Sequence, residues 1–173
     1  LRPGNGWELT FKCGKGCPNH LPGHVHSDQL SFELFYKGCP VFIEAGTSTY
    51  ANNRRRSYER SGSAHNVLEV GQLVKKGLEN NISWYEPIDV WSSFRAGRKA
   101  LPIYRICKEN DDGTLYLCGA HDGYKRINIS HHREILLTSN LDNKLTLKLI
   151  DYVTCSGEFY LRQWWHLSPD LPE

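Results

Sequence analysis

The chain has 173 residues, 39% of them hydrophobic and 23% charged, a composition that supports a folded core and excludes a disordered chain. Lys and Arg number 21 against 19 Asp and Glu, a balance too even to argue for nucleic acid or an anionic membrane as partner. No stretch approaches the roughly 20 apolar residues of a membrane helix. Methionine is absent, so the chain is expected to be an excised piece of a longer protein. The length suits one domain over 1–173, and neither an internal repeat nor a low-complexity linker divides it.

In chain order, glycine and proline punctuate a sequence in which apolar residues recur with a period of two, the mark of strands. A first strand is expected over 7–13, followed by a Gly-, Pro- and Asn-rich loop over 14–23. Leu30, Phe32, Leu34 and Tyr36 then alternate with Ser31, Glu33 and Phe35. Lys37-Gly38 turns the chain, and Val41, Ile43 and Ala45 alternate with Phe42 and Glu44 on the return, which completes a β-hairpin. Residues 47–63 are polar and carry Arg54, Arg55, Arg56 and Arg60; a loop this long within a domain is commonly functional. Further strands are expected over 66–70, within 83–94, over 101–108 and 114–119 around the Asn110-Asp111-Asp112-Gly113 turn, over 134–138 and 144–150, and over 158–166. No helical period exceeds about two turns. The pattern predicts an all-β fold, an antiparallel sandwich of about ten short strands.

The cysteines Cys13, Cys17, Cys39, Cys107, Cys118 and Cys155 are even in number, which permits disulfides without requiring them. Cys13-x3-Cys17 lacks the second pair a zinc knuckle needs, so the thiols are expected to pack or to sit in loops. Trp164-Trp165 reads as core and rim rather than as a sugar platform. His131-His132 has no carboxylate at a readable spacing and is expected at the surface.

The stretch Gly23-His24-Val25-His26-Ser27-Asp28 carries the most chemistry. Two histidines one residue apart on extended chain point the same way, as two metal ligands or as one ligand and one base. Glu44 ends the return strand of the hairpin, near the start of its first strand and so near His26. Ser63-Ala64-His65-Asn66 opens the next strand. Two histidines and a carboxylate on neighbouring strands suit zinc.

The sequence resembles the C-terminal β-sandwich of the heparinase II/III-like polysaccharide lyases. The resemblance rests on His24-Val25-His26-Ser27-Asp28-Gln29-Leu30-Ser31-Phe32-Glu33-Leu34, on Glu44-Ala45-Gly46-Thr47 with Tyr50 after it, and on Arg60-Ser61-Gly62-Ser63-Ala64-His65-Asn66. His121-Asp122-Gly123-Tyr124 and His166-Leu167-Ser168-Pro169 extend it over most of the chain. The family usually has Asp where Glu44 stands and Pro where Ala45 stands.

The resemblance implies that His26, Glu44 and His65 hold a structural metal, usually zinc, and that His24 faces the cleft and assists catalysis. It implies that Tyr50, Arg56 and Arg60 lie near an acidic polysaccharide substrate. The family cleaves such chains by β-elimination in a cleft between this sandwich and an N-terminal α/α toroid. No toroid is present here, so the isolated chain is expected to be inactive. Neither nucleic acid nor a membrane is expected as partner, and a periplasmic or secreted setting is expected, with the cytoplasm as alternative. Two rivals stand beside this reading. One is a non-catalytic, acidic-carbohydrate-binding or structural β-sandwich. The other is a cupin-type metalloenzyme, which the absence of Glu four or five residues after His26 opposes.

Overall fold

The computed structural model describes residues 1–21, 23–76, 79–93, 95–140, 142 and 144–171, with side chains at all of these except 75, 76, 79 and 80. Five strands precede residue 90: β1 (Trp7–Phe11), β2 (Phe32–Tyr36), β3 (Cys39–Phe42), β4 (Leu68–Lys76) and β5 (Glu79–Tyr85). Five follow: β6 (Pro102–Glu109), β7 (Leu115–His121), β8 (Ser130–Ser139), β9 (Leu145–Thr154) and β10 (Tyr160–Gln163). They form three antiparallel sheets, ordered β1-β2-β3, β10-β4-β5 and β6-β7-β8-β9. The all-β sandwich expected from the alternation is what the chain adopts.

Local chemistry explains the elements. Lys37 and Gly38 both take positive φ, 49° and 81°, as a tight two-residue hairpin turn demands, and Tyr36 pairs with Cys39 across it. Phe32 and Leu34 face inward and meet Leu9 of β1 and Leu117, Ile135 and Leu137 of the four-stranded sheet. This apolar layer holds the first sheet on the third. Burying an aliphatic or aromatic side chain of this kind contributes about 1.5–3 kcal/mol. The strand expected within 83–94 ends at Tyr85, two residues before Pro87, whose missing N–H cannot extend a ladder.

The inward face of β8 changes character along its length. Ile135 and Leu137 are apolar, whereas Arg133 and His131, two and four residues earlier, are polar and equally buried. The register sets Arg133 opposite Asp151 of β9 and His131 opposite His121 of β7. Arg133 Nε and Nη2 donate to Asp151 at 2.8 and 2.9 Å, and His131 Nε2 donates to Asp151 Oδ1 at 2.8 Å. The surface position expected for His131 is therefore corrected: it is 2% exposed, and its carboxylate partner arrives across a strand pair, 20 residues away.

Residues 47–63, expected as a loop, contain a short helix, α1 (Arg54–Arg60), capped by Asn53, whose side chain accepts from the Arg56 N–H at 2.9 Å. Its buried residues are Arg56, Glu59 and Arg60. All six thiols are free, and Trp165 packs against Phe32 and Phe42 at 5.8 and 5.6 Å between ring centres.

Candidate functional site

The segment before β2 is not regular strand. His24 and Leu30 both occupy the left-handed region, at φ 59° and 62°. Side chains rarely adopt it, and each instance costs about 1 kcal/mol or more unless neighbours hold it. Leu30 is held by its N–H to Lys12 O at 2.8 Å and by Arg133 Nη1, which donates to its carbonyl at 2.8 Å. The same Nη1 donates to Asn66 O at 2.6 Å. One buried guanidinium thus ties the His24–Leu30 segment to the segment that carries His65.

Between these segments lies a cleft of about 540 Å³ whose walls include His24, His26, Asp28, Glu44, Thr47 and His65. His26 and His65 are buried, with ring centres 5.3 Å apart, and His24 is exposed. Donor atoms of His26, Asp28 and His65 all lie within 4.8 Å of one another. Glu44 joins this group through His65: its Oε2 contacts His65 Nδ1, and its Oε1 accepts from Ser31 Oγ and from the Asn66 N–H at 3.1 Å. The proximity of Glu44 to the start of the hairpin, expected from the turn, arises in this way.

The protonation pattern follows from the partners. His65 Nε2 faces Glu59 O at 3.1 Å, and a carbonyl only accepts, so that nitrogen carries the proton. Its Nδ1 meets the Glu44 carboxylate, an ion pair whenever the ring carries its second proton. His26 Nε2 accepts from Arg56 Nη1 at 3.2 Å, with Thr47 Oγ1 at 3.3 Å. Burial pushes the His26 imidazole down to about 3, and the charges of His65 and Arg56 push the same way. A neutral ring is the form a metal requires, and a metal at Nε2 would take over the lone pair that Arg56 now engages. Glu33, at the cleft wall, is held above the usual carboxylate range by burial and by Glu44 beside it.

The model of the heparinase II/III-like C-terminal domain matches residues 1–172. The chain belongs to that family. No curated protein and no solved structure matches it. The family points to polysaccharide lyase activity in the parent protein.

In this heparinase II/III-like domain the residues singled out from sequence separate into two groups. His24, His26, Glu44 and His65 share the cleft. Tyr50 sits beside it, edge-on to His24 at 5.4 Å and 5.2 Å above the Arg56 guanidinium. Arg56 and Arg60 are each 1% exposed. Arg56 reaches His26 and Thr47, while Arg60 is taken up by the carbonyls of Val25, Ser92 and Arg95. Asp28 was not singled out as a ligand. A signal for it existed, since it lies two residues after His26 in the same i, i+2 series as His24 and His26.

Proposed function

We propose that this domain holds a divalent metal, zinc by its donor set, and forms one wall of the cleft of a lyase that cleaves uronic-acid-containing polysaccharide by β-elimination. The observation that carries the reading is the gathering of His26, Asp28 and His65 in one cleft with His24 at its exposed side. Two features fit a cation there. Asp28 Oδ1 is buried with no hydrogen-bond partner among the described residues. Glu44 brings a second carboxylate to His65 Nδ1 in the same cleft. His26, Asp28 and His65 would hold the ion with Glu44 as fourth donor, a closed set of the structural type. When bound, the metal would brace the segments that carry these donors and add positive charge to the cleft.

The chemistry needs little more from this wall. In β-elimination the C5–H and C4–O4 bonds break, a C4–C5 double bond forms, and the departing O4 takes up a proton. The C5 proton is weakly acidic until the neighbouring carboxylate is neutralised. His24 is the exposed imidazole suited to hydrogen-bond that carboxylate or to take the proton, and Tyr50, backed by Arg56, orients it. The remaining acid or base would come from the toroid, so the isolated chain is inactive on this reading.

Elemental analysis of the purified chain tests it, with His26→Ala as control. About one zinc per chain, lost in the variant, is the expected result. A folded, metal-free chain would overturn the metal site. Unsaturated, ultraviolet-absorbing product made by the isolated chain would overturn the division of labour with the toroid. Acidic oligosaccharide binding by a parent protein that cleaves nothing would favour the non-catalytic sandwich instead.

A further inference from the structure

Beside the cleft, residues 89–93 pair back with residues 95–98. Asp89 N donates to Arg98 O at 3.0 Å, Gly97 N to Asp89 O at 2.8 Å, and Trp91 N to Arg95 O at 3.1 Å, with Val90 bridging to Ala96. Arg95 also bridges to Gly23, the residue before His24. The buried arginines of α1 grip the tip: Arg56 Nε donates to Ser93 O at 2.7 Å, and Arg60 Nη1 donates to Ser92 O. The hairpin is therefore fixed to both the helix and the His24 loop.

Trp91 projects from this fixed hairpin and is 74% exposed, the most exposed large hydrophobic residue described. No described ring or cation stacks on it. Its indole lies against the backbone at Gly97, where a Cβ would come within 2.3 Å of Cε2 and 2.5 Å of Nε1. Glycine at 97 lets the ring lie down on one face and leaves the other to solvent. Exposing that much indole on a braced support costs solvation, and it is the form an aromatic stacking platform takes.

A hollow of about 190 Å³ lies between Trp91 and α1, walled by Asn52, Arg56, Ser57, Arg60 and Ser92. It is smaller than a typical small-molecule pocket and suits one ring of a longer chain. Two guanidiniums line it, and the one carboxylate paired with either among the described residues, Glu59 at 3.7 Å from Arg56 Nη1, is divided among Arg56, Arg55 and Ser48. Arg56 Nη2 is buried with no partner among the described residues. The local field is positive, which favours an anionic ligand. Arg56 spans from this hollow to His26 of the cleft.

We propose that Trp91, with Asn52 and Ser57 and in the field of Arg56 and Arg60, forms a subsite that stacks one pyranose ring of an acidic polysaccharide next to the cleft. The subsite rests on the lyase reading for the nature of its ligand. It gives the substrate a second anchor on this domain, one guanidinium away from His26.

The test follows the indole N–H signals of the ¹⁵N-labelled chain. The probes are hexasaccharides of heparin, hyaluronan and oligomannuronate, with cellohexaose as neutral control. The Trp91 signal, identified by its loss in Trp91→Phe, shifts with an acidic probe and not with cellohexaose. Trp91→Ala binds about tenfold more weakly, as expected of an aromatic anchor, whereas Trp91→Phe retains binding within about threefold. Gly97→Ala, which displaces the indole without removing it, also weakens binding. Acidic probes that bind Trp91→Ala and Gly97→Ala as tightly as wild type would overturn the subsite and leave the lyase reading standing. Failure of all three acidic probes to bind the wild-type chain would overturn both.

Discussion

At the scale of single residues, the cleft separates the converging donors from their neighbours. His24 is exposed and left-handed, and it lies outside the group formed by His26, Asp28 and His65. His24→Ala should therefore keep the wild-type metal content, and His65→Ala should lose it, as read by elemental analysis of folded protein. Equal loss in both would place His24 among the ligands. Glu44→Gln keeps the shape but removes the charge beside His65. Its metal affinity, measured by chelator competition, should fall by more than about 10-fold, because a direct donor loses its charge and even groups that only support a ligand contribute that much. That His26, Glu44 and His65 share one cleft was legible in the sequence, because hairpin geometry and the family resemblance converged on them. Asp28 was not, because it lies on the irregular segment before β2, where strand alternation does not report which side chains converge.

Among the elements, β8 carries most of the connection between core and cleft. Arg133 satisfies Asp151, Leu30 O and Asn66 O at once. Arg133→Met would leave a buried carboxylate without its ion partner and two carbonyls without donors, at a cost of about 3–5 kcal/mol. Urea unfolding of Arg133→Met beside Arg133→Met/Asp151→Leu checks this. The double variant should recover part of the loss, since the unpaired charge is gone; a single variant as stable as wild type would refute the account. The strands of the hairpin were legible because alternation reports burial of apolar faces. Helix α1 was not, because the face it buries is Arg56, Glu59 and Arg60, and hydrophobic periodicity is blind to charge. For the same reason His131, on the buried half of β8, looked like surface.

For the whole molecule, buried imidazoles set the response to acid. Gly123 N–H donates to His121 Nδ1 at 3.0 Å, so His121 Nε2 carries the proton that it offers to His131 Nδ1 at 3.4 Å. Burial, then the charges of His131 and Arg133, push His121 down to about 3 from 6.5, and burial lowers His131 as well, against the pull of Asp151. Above pH 6.5 these rings are neutral in both states and add nothing to the pH dependence. As pH falls below 6.5, the unfolded chain takes up protons that the folded chain does not. Stability should then drop by roughly 1.4 kcal/mol per pH unit for each fully buried ring. Burial alone would raise Asp151, but hydrogen bonds from His131 and Arg133 hold it below the usual carboxylate range, so its contribution is lost only below about pH 3.8. Urea midpoints between pH 7 and 5 should fall steeply, and less so in His121→Asn, which keeps the acceptor for Gly123. The sandwich class was legible at this scale, whereas the polar end of its core was assembled from residues 10 to 103 positions apart.

The clamp made by Arg133 also bears on protein engineering. The donors of the cleft lie on three short segments, around His26 and Asp28, around Glu44 and around His65, which invites their transfer to a sturdier scaffold. Grafted alone, those segments would carry every donor and lose the group that fixes the spacing of the His26 and His65 segments, because the guanidinium belongs to a distant strand. Leu30 would relax out of its left-handed turn, and Asn66 would drift from its neighbour. A transplant that works must take Arg133 and Asp151 along, so the portable unit is the segments together with the paired strands beneath them.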